Sequence, residues 1–129
     1  MKKVLSSVIT ILIGMTILTA CGEKVDQETS NKMTAKAEEI VTLINDGNYD
    51  KASESFSDKM LEQLNRADFE KAIAPVLEKS GPFETVDKST VEKKDNFYVV
   101  VLVAKYEKEK RVFTISINEK EKIEGFFIK

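Results

Sequence analysis

The side chains that could support catalysis in this chain are carboxylates, lysines and tyrosines, because the sequence contains no histidine. Triads of the Ser-His-Asp and Cys-His kinds are therefore excluded, as are most zinc and copper sites. The five glycines are scattered and form neither a P-loop nor a dinucleotide-binding fingerprint. We predict no cofactor and no metal.

Most acidic residues have a simpler explanation than catalysis. Glu38, Glu39, Glu107 and Glu109 lie among lysines on predicted helix surfaces or in turns. Interleaved charges of both signs are typical of a solvated face. Residues 45–50 carry acidic and amide side chains, but they lack the spacing and the terminal Glu of an EF-hand calcium loop.

The only cysteine, Cys21, follows a segment typical of protein export. A positive start and a mostly apolar stretch over residues 4–18 precede small residues at the cleavage zone. The run Leu18-Thr19-Ala20-Cys21 resembles the lipobox of bacterial lipoproteins, in which the cysteine is acylated and becomes the first mature residue. The apolar stretch is also short against the ~20 residues that span a bilayer. We predict a signal peptide over residues 1–20 and a lipid anchor on Cys21, holding the chain to the extracytoplasmic face of the cell membrane.

Removal of this segment changes the charge. Without Lys2 and Lys3, 18 of the 20 basic residues remain against 22 acidic ones, a formal charge of −4. This balance argues against nucleic acid as a partner, which requires a basic patch, and against attraction to anionic lipid beyond the anchor itself. Residues 21–30 predict the lipidated cysteine and a flexible tether. Residues 31–129 are enough for a single domain.

The first half of that domain has helical periodicity. Apolar residues recur at spacings of three and four, Gly47 marks one helix end, and Ser57 and Asn65 are candidate N-caps. Pro75 lies inside the last helical segment. The residues predicted to face the core are Met33, Ala37, Ile40, Val41 and Ile44; Tyr49 and Ala52; Met60, Leu61 and Leu64; and Phe69, Ala72, Ile73, Val76 and Leu77.

The second half has strand periodicity. Residues 83–93 are mostly polar, which favours an edge strand, and residues 97–104 are apolar on both faces, which favours a central strand. Residues 112–118 alternate, and residues 123–128 complete the sheet. Helices followed by hairpin-linked strands predict an α+β fold, with about three helices packed on one face of a curved four-stranded antiparallel sheet.

Several short motifs resemble one known family. They are the run at residues 46–52, then Phe56, Met60, Leu64, Gly81 and Phe83, and the closing residues 123–127. Over residues 30–129 they resemble the domain-of-unknown-function 3887 family. The resemblance implies a cystatin-like fold of the superfamily that includes nuclear-transport-factor-two-like proteins. It also implies occurrence in lipoproteins of Gram-positive bacteria, and it implies no activity.

The central strand presents two apolar faces, and the sequence does not decide which one meets the helices. A face without a second layer is a candidate interaction surface, unless edge residues and lysine stems cover it. The candidates for this surface are Phe97, Val99, Val101 and Val103. Cystatin-like folds often enclose a pocket, and its candidate lining is Tyr98, Tyr106, Phe113 and Phe126.

Two functions follow from these surfaces. The first is a non-enzymatic binding or protein-interaction module whose partner is a second copy, another envelope protein or a small apolar molecule. The alternative, which the resemblance implies, is a small pocket enzyme of the nuclear-transport-factor-two-like type that uses Tyr and a carboxylate. In such a dry cavity Tyr98 or Tyr106 would act with Glu124, and burial would raise the carboxyl pKa. A closed pocket holding a buried acid would favour the enzyme, and an open apolar face would favour the module.

Overall fold

The structure, a computed structural model, describes residues 24–129. The predicted signal peptide and Cys21 lie outside these residues. The described part contains the predicted α+β order, with four helices before four strands. The helices are α1 (Gln27–Asn45), α2 (Tyr49–Ser53), α3 (Asp58–Gln63) and α4 (Arg66–Ser80). The strands are β1 (Phe83–Lys94), β2 (Phe97–Tyr106), β3 (Lys110–Asn118) and β4 (Ile123–Ile128).

Helix α1 begins at Gln27, inside the segment predicted as a tether. Asp26 is its N-cap, and the Asp26 carboxylate accepts a hydrogen bond from the Thr29 N–H at 3.0 Å. The same hydrogen bond lowers the pKa of Asp26. A capped first turn therefore extends the helix toward the chain start, although that turn buries little.

Helix α1 ends in a Schellman motif. The Gly47 N–H donates to the Ile44 carbonyl at 3.1 Å, and the Asn48 N–H donates to the Leu43 carbonyl at 2.8 Å. Gly47 takes φ 77°, a conformation that glycine adopts at little cost. This confirms the predicted helix end. The buried residues of α1 are also the five predicted ones, Met33, Ala37, Ile40, Val41 and Ile44.

The later helices start at the predicted caps. Ser57 Oγ accepts from the Met60 N–H at 3.1 Å to open α3, and Asn65 Oδ1 accepts from the Asp68 N–H at 3.0 Å to open α4. Helix α4 continues through Pro75.

The buried stripe of α4 is narrower than predicted. Phe69 and Ile73, four residues apart, are buried, whereas Ala72 is exposed. Ala72 lies at the border of the buried face of α4. The hydrophobic periodicity of this 15-residue helix does not distinguish Ala72 from its buried neighbour Ile73.

The sheet is an antiparallel meander with the order β1-β2-β3-β4. Two irregularities shift the register of β1 against β2, and one shifts β3 against β4, which bends and twists the sheet. The strand predicted at an edge, β1, lies at an edge, and β2 is central. The segment around Phe56 forms a short parallel bridge to Ile123 at the edge of β4 that does not pair with β3.

The core lies between the helices and one face of the sheet. Its centre is the fully buried Phe69 of α4, whose ring packs edge-on against Tyr49, Phe56 and Phe126 at centroid distances of 5.9, 4.9 and 5.0 Å. Edge-to-face aromatic pairs stabilise a fold by more than the burial of their apolar area alone. This aromatic cluster joins α2, α4 and β4. Among residues 24–129, no helix has the length and apolar character needed to cross a membrane.

Candidate functional site

Strand β2 divides its side chains between the two sheet faces, and the register shows which face meets the helices. Leu102 lies opposite Phe113, and Val100 lies opposite Ile115; all four are fully buried. The even-numbered residues of β2 therefore form the inner face. Its odd-numbered residues form the outer face, which no described helix covers.

The outer face carries the predicted interaction residues. Phe97, Val99, Val101 and Val103 are half-buried, because side chains of the flanking strands shield their edges. Small or apolar residues lie beside them in the register. These neighbours are Thr90 of β1, Val112, Thr114 and Ser116 of β3, and Gly125 and Phe127 of β4. The result is a surface of apolar and small side chains centred on β2.

Basic residues border this surface. Through the strand register the outer face also presents Lys88 and Lys94 of β1, Lys105 of β2, Lys110 of β3, and Lys129 after β4. We call these five exposed residues the lysine rim.

Three acids, Asp87, Glu92 and Glu124, lie on the outer face and offset only part of the charge of the lysine rim; the Glu124 carboxylate accepts a hydrogen bond from Asn118, which lies opposite Phe97. Asp87 contacts the Lys110 ammonium at 2.9 Å, which lowers the pKa of Asp87, and Glu92 lies opposite Val99. The helical half, residues 24–80, has 12 acidic and 8 basic residues, whereas residues 81–129 have 9 and 10. The net negative charge of the chain therefore belongs to the helical half, and the outer face is basic.

The predicted pocket residues lie on the inner face, where they pack as core. The rings of Phe113 and Phe126 are 5.8 Å apart, and Tyr106 packs against Phe83 at 5.4 Å. Tyr98 is half-buried at the other end of β2, and the Lys93 ammonium lies 5.8 Å from its ring centroid. The structure brings Phe113 and Phe126 together and separates Tyr98 from Tyr106 along the strand.

Tyr106 has one polar contact in the core. Its hydroxyl donates to Asn45 Oδ1 at 2.9 Å, and the Asn45 amide donates to the Val41 carbonyl at 2.8 Å. Burial raises the pKa of Tyr106, and the opposing influences of Asn45 and Arg111 are smaller. The hydroxyl therefore remains a neutral hydrogen-bond donor that joins β2 to the end of α1.

We expect the stability of the domain to fall at alkaline pH. The folded-state pKa of Tyr106 lies above its ordinary value of 10.0, so the unfolded chain ionises first. The contribution of neutral Tyr106 to the free energy of unfolding is complete below about pH 10. It is lost as pH rises through the folded-state pKa. Burial also raises the pKa of Tyr49. Urea unfolding between pH 8 and 11.5 measures this loss.

Tyr106→Phe is the matched variant for this prediction. It should cost about 1 kcal/mol at pH 7, through the lost hydrogen bond, and should reduce the alkaline loss of stability. Equal alkaline slopes in the two proteins would assign the effect to other groups.

Glu124 does not meet the tyrosines as a catalytic acid would. Its carboxylate accepts a hydrogen bond from the Asn118 amide at 3.0 Å, and it is only half-buried. Tyr106 pairs with Phe83 at the opposite end of the sheet. In the described range no carboxylate is among the buried residues, and no group of three acids or thiols is placed to hold a metal ion.

A groove of about 490 Å³ runs beside β4 and was missed by the sequence interpretation. One side is formed by α3, and the other reaches over Gly125 to the outer face. Phe127 borders the groove with 69% of its surface exposed and is the only exposed large hydrophobic residue among residues 24–129. Alternation along β4 could have placed Phe127 outside, but nothing in the sequence locates α3 beside that strand.

The comparisons with known proteins identify a family without an assigned activity. The family model described as a protein of unknown function (DUF3887) matches residues 37–126, which is most of the chain. Searches of curated proteins and of solved structures found no match. The match covers the inner core, both faces of β2 and most of β4, and the chain therefore belongs to the DUF3887 family.

Proposed function

We propose that this protein is an extracytoplasmic lipoprotein, anchored through Cys21, that acts without catalysis by binding an acidic partner on the outer face of its sheet. The observation that carries this proposal is the apolar row of Phe97, Val99, Val101 and Val103 inside the lysine rim. An apolar patch bordered by charge is typical of interaction sites, because burial supplies affinity and the border selects the partner.

The charge distribution supports an acidic protein surface as the partner. An approaching acidic surface would meet several lysines at the rim and desolvate the valines at the centre. Two such domains meeting face to face would instead bring two lysine rims together, which is unfavourable. The open outer face, with Glu124 half-buried and far from Tyr106, favours binding over pocket catalysis.

Val99→Lys combined with Val101→Lys should abolish partner capture. Both side chains point away from the core, so the fold should tolerate the change. Partner binding would have to desolvate two new charges in the apolar centre, which costs much free energy. The measurement uses the full chain in its native envelope with a photoreactive residue at Thr114, on the same face. The cross-linked partner is identified by mass spectrometry, and its yield is compared between the two chains.

Ala35→Lys combined with Ala72→Lys is the matched control. It adds the same two charges at exposed helix positions and should leave the cross-link yield unchanged. An adduct that persists at full yield in the valine double variant would assign the binding surface elsewhere. Adducts to a second copy alone would replace the acidic partner with self-association through this face.

A further inference from the structure

The free edge of β4 carries unpaired backbone groups. Lys129 and Val112 exchange both backbone hydrogen bonds, at 3.0 and 3.1 Å. In an antiparallel ladder such pairs alternate, so Phe127 and Gly125 also face β3 with their backbone groups. Phe126 and Ile128 then direct their N–H and C=O groups away from the sheet. The bridge around Phe56 covers the start of the strand, at Ile123, and α3 forms the opposite side of the groove beside Phe126 and Phe127.

The other edge of the sheet is protected against pairing, and this one is not. Strand β1 carries exposed Asp87, Lys88, Glu92 and Lys94 and two register irregularities, which are the usual means of blocking edge-to-edge association. Strand β4 ends in Phe126-Phe127-Ile128 with no charge among the three. An uncharged aromatic edge with free backbone donors favours the addition of another strand.

We propose that β4 pairs with the β4 strand of a second copy in antiparallel orientation, centred on Phe127. In this register Phe126 lies opposite Ile128 of the second copy, and each pair exchanges two hydrogen bonds. The two Phe127 rings then lie side by side on the outer face. The stretch of the edge beyond the Phe56 bridge, residues 125–129, is centred on Phe127, so one two-fold axis relates the two strands.

The side chains next to this centre are self-complementary. The register places Lys129 of each copy across Gly125 of the other. Gly125 has no side chain there, and a Cβ at this position would be crowded, 3.3 Å from Ser116 Cβ and Oγ. The Lys129 stem can pass over the backbone of Gly125 toward Glu124, which lines the same groove. A parallel arrangement would instead place Lys129 next to Lys129 of the second copy. The partner strand is therefore the β4 strand of a second copy in antiparallel orientation.

The pairing is tested by disulfide cross-linking of the full chain in its native envelope. Phe127→Cys places two thiols in a non-hydrogen-bonded pair, where Cα atoms are about 4.5 Å apart and a disulfide can form. Thr114→Cys is the matched control. Position 114 is on the same face but one strand further in, so the two Thr114 positions of the paired copies are about 14 Å apart. The unmodified chain reports any product through Cys21.

We expect a covalent dimer from Phe127→Cys and none from Thr114→Cys. Equal dimer yields from both variants would show that copies meet through the outer face, and no dimer from either would leave the edge unpaired; each result overturns the proposal. Lys129→Glu should slow the Phe127→Cys cross-link roughly two- to fivefold, the size of an exposed ion pair, and adding Glu124→Lys should restore the rate.

The edge pairing can fail independently of the proposed function. Val99→Lys with Val101→Lys alters the outer face and leaves the β4 edge intact, so this pair of substitutions should not change the Phe127→Cys cross-link. Loss of partner capture with retained cross-linking would support both proposals. A failed Phe127→Cys cross-link with retained partner capture would overturn the edge pairing and leave the proposed function standing.

Discussion

Phe69→Ala should destabilise the domain by about 3–5 kcal/mol, the usual cost of removing a fully buried phenylalanine. Phe69 has no exposed surface, and its ring is the common neighbour of Tyr49, Phe56 and Phe126. Truncation would leave a cavity bounded by these three rings, which come from separate elements and cannot all move inward. Since small domains are stable by about 5–15 kcal/mol, this single change is expected to remove a large share of the total.

The measurement is urea unfolding followed by circular dichroism at neutral pH. Phe127→Ala, measured in dilute monomeric protein, is the matched control, because it is the same substitution at a side chain that is 69% exposed, and it should change stability by less than about 0.5 kcal/mol. Similar losses in the two variants would mean that the aromatic cluster does not hold the helices to the sheet.

Gly81→Ala should cost about 2–3 kcal/mol, because its backbone lies in a region that only glycine occupies readily. Gly81 follows α4 at φ 82° and ψ −171°. A Cβ there would meet Lys108 Cγ at 3.3 Å and Glu107 Cβ at 3.4 Å. The β2–β3 loop cannot retreat freely, because the Lys108 N–H donates to the Ser80 carbonyl at 3.0 Å.

Gly47→Ala separates backbone strain from crowding. Gly47 also has a positive φ, of 77°, but a Cβ at that position would have no atom within 4 Å. It should therefore cost only about 1 kcal/mol, the penalty of the left-handed conformation itself. Thermal unfolding of both variants provides the comparison, and a larger loss for Gly47→Ala would reject the assigned cause.

The elements with one strong periodicity could be predicted from the sequence. Met33, Ala37 and Ile40 mark one face of a helix that has polar residues elsewhere, and Phe113, Ile115 and Ile117 alternate with polar neighbours. Local pattern and tertiary burial agree at these positions because each element has only one apolar side. The caps Ser57 and Asn65 were predictable for a similar reason, since their hydrogen bonds are made within four residues.

The orientation of β2 could not be predicted, because Val99 and Val100 are equally apolar. The burial of each β2 side chain is decided by the strand beside it. β3 has one apolar face, and the register places Val100 on that face of the sheet and Val99 on the opposite face. The lysine rim was hidden for a different reason. Lys88, Lys105 and Lys110 lie on three strands and meet only when the strands pair, so the average charge of the chain gave no indication of a basic surface.

The meander has a consequence for the order in which the domain folds. Each strand pairs with its neighbour in sequence through a short loop, and contacts of this kind close at low entropic cost and favour fast folding. One pairing is different: the Ile123 N–H donates to the Ser55 carbonyl at 2.7 Å, and the Ser57 N–H donates to the Ile123 carbonyl at 2.9 Å. These two hydrogen bonds join the helical half to the last strand across 68 residues of sequence, from Ser55 to Ile123, and we therefore expect β4 to reach its final position only after both halves have formed.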